Sequence, residues 1–141
     1  MVNGLADIWI SIIKNNFQML GLNDSKPRGI IILGIFVGLS AVLQLFCGFA
    51  GYPLYIQGYA LQSGFVFYVY FLYALISVSL AYGFLKLKKV VFYPAIFWFL
   101  WGTANGISNY LALADIEIIV DSALSFAFLS YVYSKKKYFV N

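Results

Sequence analysis

Residues 29–50, GIIILGIFVGLSAVLQLFCGFA, contain no charged side chain and follow the basic, helix-starting sequence SKPRG. As a helix, about 20 such residues span roughly 30 Å of hydrocarbon. The bilayer core offers no water to backbone amides and carbonyls, so a segment crossing it must satisfy them internally, as a helix does. Three further apolar stretches, about 64–85, 90–109 and 115–134, meet the same length requirement. The chain is therefore expected to be all-α: a four-transmembrane-helix bundle over 25–141, preceded by a distinct segment over 1–24.

That first segment has a different pattern. Leu5, Ile8, Trp9, Ile12, Ile13 and Leu20 recur at three- and four-residue steps, with Asp7, Ser11, Lys14, Asn15 and Gln18 opposite them. The period predicts an N-terminal amphipathic helix, lying in the membrane interface with Trp9 at headgroup level or packed on the protein's own inner loops. It lacks the basic start, unbroken apolar core and small-residue cleavage site of a signal peptide. Asn23, Asp24 and Ser25 end it; Asp24 or Ser25 can cap the next helix, and Pro27 suits a first turn.

With 63% hydrophobic and only 10% charged residues, the chain lies outside the mixture found in soluble domains. Its net charge of +4 is carried in short clusters between apolar spans rather than along one polar face, so nucleic acid is not an expected partner. The single cysteine, Cys47, allows no intramolecular disulfide. The lack of histidine removes the usual haem ligand and Cys/His zinc clusters, and neither a metal nor a cofactor is expected.

Within the spans, Gly34 and Gly38 stand in GxxxG spacing and offer a smooth strip to another helix, in this chain or in a second copy. Ala74, Ser77 and Ala81 form a small stripe on the second span that should face its neighbours. Between these spans, GYPLYIQGYALQSG places Tyr52, Tyr55 and Tyr59 at spacings that predict a short helix begun at Pro53. Its tyrosines would form an aromatic belt or a lid over a cavity. The LKLKK link is so short that spans two and three must be antiparallel neighbours. Span three turns polar in its second half, at Gly102, Thr103, Asn105, Gly106, Ser108 and Asn109, which should point inward. The connection YLALA then leads to span four at Asp115.

All nine basic residues, Lys14, Lys26, Arg28, Lys86, Lys88, Lys89, Lys135, Lys136 and Lys137, fall on the side that holds both termini and the middle loop. The positive-inside rule then predicts a multi-pass cell-membrane protein with both termini in the cytoplasm. In that frame the polar residues of the spans collect in the outer half: Gln44 and Cys47, then Thr103, Asn105, Ser108 and Asn109, then Glu117, Asp121, Ser122 and Ser125.

Asp115 and Glu117 suit the first turn of a helix at a wet interface, where acidic groups meet the positive end of the dipole. Asp121 lies roughly 9 Å deeper than Asp115 at 1.5 Å per residue. A lone carboxylate in the span costs up to about 3 kcal/mol near the midplane and less toward the surface. No basic residue in the outer half can pair with it, so it must be hydrated, protonated, or hydrogen-bonded by Asn105, Ser125 or Gln44. Gln44, Asn105, Glu117, Asp121 and Ser125 are thus a candidate polar pocket for a proton, a cation or a small cationic solute. The structural alternative is a hydrogen-bonded clamp between spans three and four.

PRGIIILGI after a polar leader, AYGFLKLKK at the exit of span two and YVYSKKKYF at the end resemble a group of small four-helix prokaryotic integral membrane proteins of unassigned function. Their pattern is an RP-G-I opening, an AYGL-W-K-K middle and a YYL-K-VK-YF end. The resemblance covers about 26–139; Pro27-Arg28-Gly29 replaces Arg-Pro, and Phe84 stands where tryptophan is frequent. It implies fold and membrane location and carries over no catalytic residue.

No histidine is present for a Ser/His pair, no cysteine pair for thiol exchange, and no phosphate-binding glycine loop followed by Lys-Ser or Lys-Thr. A two-carboxylate enzyme using Glu117 and Asp121 is the one catalytic arrangement left, and an enzyme is not expected. The first expectation is an accessory or assembly subunit that packs against other membrane proteins. The second is a small proton- or cation-coupled transporter or channel, probed at Asp121. Membrane lipid and either other membrane subunits or further copies of the chain are the expected partners.

Overall fold

Pro27 opens the first helix without a side-chain cap, its carbonyl accepting the Ile30 N–H at 2.9 Å. The computed structural model describes residues 27–61 and 63–140, so the expected amphipathic helix of 1–24 and the capping roles of Asp24 and Ser25 lie outside the described residues. From Pro27 the helix α1 runs over Arg28–Ala50 and stops at Gly51, whose φ of 69° turns its N–H back to the carbonyls of Cys47 and Gly48. Helix α2 covers Ser63–Lys86, α3 Phe92–Leu113 after a 3-10 turn at Lys89–Val91, and α4 Ile116–Ser134. A short α5, Lys137–Val140, ends the described chain. The four long helices are each long and apolar enough to cross a membrane, and the protein is an all-α four-helix bundle of the multi-pass membrane class.

Two connections differ from expectation. The segment after Gly51 is no helix: Tyr55–Ile56 (β1) and Tyr59–Ala60 (β2) pair antiparallel, with Tyr55 opposite Ala60 and Ile56 opposite Tyr59. Gln57 (φ 51°) and Gly58 (φ 84°) are both left-handed, the requirement of a two-residue type I′ turn whose twist matches the strands. The tyrosine spacing mimics a helical period by coincidence of the two-residue turn. At the other outer connection, α3 continues through Tyr110 to Leu113, where a linker over 110–114 was expected. Nothing in YLAL breaks a helix, and reversal waits for Ala114 (φ 53°) and for Asp115, whose Oδ1 caps the Glu117 N–H at 3.0 Å.

The helices form two tight hairpins, α1 with α2 and α3 with α4. In the first, the Gly34–Gly38 strip packs within the chain: a Cβ on Gly34 would lie 3.2 Å from Leu85 and one on Gly38 3.6 Å from Ala81. The small stripe of α2 is buried as expected, with Ala74, Ser77 and Ala81 all enclosed. In the second hairpin a matching strip, Gly102 and Gly106, lies against Ser125 and Ser122.

The two hairpins meet through aromatic rings. Tyr73 meets Trp98 edge-on at 5.1 Å, and Phe84 stacks on Phe99 at 6.4 Å. Across the remaining seam, Phe36 of α1 touches Phe128 of α4 at 6.1 Å. At the lysine-rich end, α5 turns Phe139 back under the bundle, fully buried against Phe84 and Phe92 at 6.0 and 5.9 Å. Arg28 and every described lysine lie at this end, where the helix-linking turns at Leu87 and Lys135 also fall.

Candidate functional site

Glycine and serine contacts draw each hairpin together tightly, and the aromatic rings that join the hairpins hold them further apart. The difference leaves a cavity of about 490 Å³ walled by all four spans, in the half of the bundle away from the lysine-rich end, which is the outer half in the expected orientation. Its polar groups are Ser40 and Gln44 from α1, Tyr73 from α2, Asn105 from α3, and Asp121 and Ser125 from α4. Its apolar walls include the indoles of Trp98 and Trp101 and the rings of Phe36, Phe99 and Phe128.

Four of the five residues expected to form a polar pocket therefore share one space. Glu117 does not line it: one turn nearer the outer end and exposed, it belongs to the first turn of α4 beside the Asp115 cap. Three of the four differ in how fully they are engaged. Gln44 accepts the Ser77 hydroxyl at 3.2 Å, a tie between α1 and α2 that leaves its amide nitrogen for the cavity. Asn105 accepts the Gln57 N–H at 2.8 Å and donates to the Tyr55 carbonyl at 3.5 Å. Asp121 is exposed on the cavity wall and has neither a hydrogen bond nor an ion pair with another described residue.

The fastening between α3 and α4 is made elsewhere. Ser122, 3% exposed, donates its hydroxyl to the Thr103 carbonyl at 2.9 Å, and Gly106 gives its Cβ room. One residue on from Asp121, and so about 100° around the helix, Ser122 faces α3 while Asp121 faces the cavity. The expected clamp exists, but a different side chain makes it. Sequence reasoning noted Gly102 and Gly106 only as polar-half residues; their GxxxG spacing was the available signal for this contact.

The hairpin sits at the outer end of this space. Asn109, buried one turn outward from Asn105, accepts the Gly58 N–H at 2.6 Å and donates to the Tyr55 carbonyl at 3.0 Å. Gly58 serves twice here, since its φ needs glycine and a Cβ would stand 2.6 Å from Ala112. On the other side, the Tyr70 hydroxyl donates to the Pro53 carbonyl at 3.4 Å. The loop is thus strapped from α2 to α3, and Asn105 belongs both to the strap and to the cavity.

Among the described residues, Asp121 is the one charged side chain on the cavity wall, and the described basic residues lie at the opposite end of the bundle. With its carboxylate ionised, the space would be complementary to a cation. A single carboxylate with amide and hydroxyl oxygens is a sparse donor set for a metal ion, and the described residues contain no group of three or more His, Cys, Asp or Glu. Indole and phenol rings beside one carboxylate suit an organic cation better, because ring faces attract ammonium groups in proportion to their desolvation.

Comparison of the chain with protein-family models, with curated proteins and with solved structures finds no match.

Proposed function

We propose that this chain is a small cation-coupled transporter of the cell membrane, with both termini in the cytoplasm and an outer cavity that takes an organic cation or a proton at Asp121. The observation that carries this reading is that Asp121 stands on a four-helix cavity without a described partner, while α3 and α4 are held together by other residues, the Ser122 hydroxyl on the Thr103 carbonyl among them. A carboxylate kept at membrane depth against its cost, and unused by the packing, is accounted for by a ligand that needs it. The seven described basic residues at one end of the bundle support the orientation. The resemblance of its helix-end motifs to small four-helix prokaryotic membrane proteins supports the membrane placement, and the reading is non-catalytic.

The test uses tetraethylammonium, a compact cation without a tail, with the protein in lipid nanodiscs and in liposomes. Calorimetry should show saturable binding to the wild-type chain that weakens at least tenfold, about 1.4 kcal/mol, in Asp121→Asn. An imposed pH gradient should drive tetraethylammonium uptake into wild-type liposomes only. Equal binding by both proteins would refute the role given to Asp121.

A second reading, an accessory subunit packed against other membrane proteins, is favoured by α4. It buries 11% of its most apolar stretch within the chain, against 28% for each of the other three spans. Purification in mild detergent separates the two: a stoichiometric larger complex supports the subunit, and a monomer or homo-oligomer that binds tetraethylammonium supports the transporter.

A further inference from the structure

Inward of the cavity, on the same α1–α4 seam, runs a second space of about 490 Å³ with almost no polar surface. Ile32 and Leu33 form one wall, and Ala127 and Tyr131 the other. Phe36, Leu124 and Phe128 border both spaces, so cavity and groove adjoin at the Phe36–Phe128 contact. At the inner end the Tyr131 hydroxyl lies over Gly29, where any Cβ would collide with it, and closes the groove. Along the side the groove is open: Ile32 and Phe36 are 60% and 58% exposed, toward what would be lipid.

The ten residues from Asp121 to Tyr131 rise roughly 15 Å at 1.5 Å each, half of a hydrocarbon core of about 30 Å. The seam thus offers one negative group at the top and one alkyl-chain length of apolar wall beneath it. Its complement is a molecule with one positive head and one tail. A phospholipid fits poorly, because its phosphate would face the Asp121 carboxylate and its second tail would have no groove.

Resting on the cation reading of Asp121, we infer that the α1–α4 seam binds single-tailed cationic amphiphiles, head at Asp121 and tail in the groove down to Tyr131, entering sideways from the outer leaflet. The aromatic waist at Phe36 and Phe128 packs on the first part of the tail, and Ala127 leaves room for the rest.

An alkyltrimethylammonium with a photoreactive diazirine at its tail end tests this in nanodiscs, with the crosslinked residues mapped by mass spectrometry. Labelling should concentrate on 29–36 and 124–131, fall at least tenfold in Asp121→Asn, and be displaced by excess tetraethylammonium. Ala127→Trp fills the groove from an exposed position, so it should remove this labelling while leaving tetraethylammonium binding unchanged. Labelling spread evenly over lipid-facing residues such as Phe46, Phe71 and Phe97, with tetraethylammonium still bound, would overturn the groove alone. Failure of tetraethylammonium to bind would overturn the cation reading and the groove with it.

Discussion

Gly106→Leu is expected to push α3 off α4 and lower the stability of the bundle by about 2–4 kcal/mol. A Cβ at Gly106 would stand 2.7 Å from the Ser122 Cβ and 3.2 Å from its Cα, so part of the obstruction is backbone that no rotamer change removes. Overpacking of this kind costs about 1–3 kcal/mol. Separation of the helices would also break the Ser122–Thr103 hydrogen bond, and interhelical hydrogen bonds in membranes average about 0.6 kcal/mol with a maximum near 1.7. Thermal unfolding in detergent measures the loss. Gly64→Leu is the control, because a Cβ there meets nothing within 4 Å and should leave the midpoint almost unchanged. Equal midpoints for the two variants would mean that α3 and α4 are not held by this strip.

Asp121→Leu should do the opposite to stability and end cation binding. The substitution breaks no hydrogen bond to a described residue, and it removes a carboxylate from membrane depth. The gain is about 1–3 kcal/mol, smaller the nearer the site lies to the outer interface. Unfolding in lipid and tetraethylammonium calorimetry on the same preparation read both effects. A clamp between α3 and α4 would give the reverse sign, since its loss would leave buried partners unsatisfied. More stable protein that no longer binds the cation is the signature of a residue kept for a ligand. Destabilisation would return Asp121 to a packing role.

The spans were legible because bilayer thickness converts directly into the length of an uncharged run, and the two lysine-rich turns fall where such runs stop. The cavity residues were legible for a related reason: Gln44, Asn105, Asp121 and Ser125 are each costly in lipid and must turn toward one another. Helix rotation was not legible to within one residue. Asp121 and Ser122 are adjacent in sequence, and only the seating of Gly102 and Gly106 determines which of them meets α3. The hairpin escaped because Gln57-Gly58 is a weaker turn signal than Asn-Gly or Asp-Gly, and three tyrosines nearby imitate a helical period. Phe139 escaped because its partners, Phe84 and Phe92, come from the middle of the chain, and no local pattern announces a contact at that separation. Glu117 was grouped with Asp121 by helical spacing, a relation that gives a shared face but not the depth at which a cavity ends.

The account stands on Asp121 being reachable by water from outside the cell. In a Cys47→Ser background, Asp121→Cys in intact cells should react with a charged, membrane-impermeant maleimide. Phe126→Cys, on a 58% exposed position of the same helix that does not line the cavity, should stay unmodified because lipid suppresses the thiolate. Modification of Asp121→Cys only in inverted membranes, or equal silence of the two variants, would contradict the outward-facing cavity.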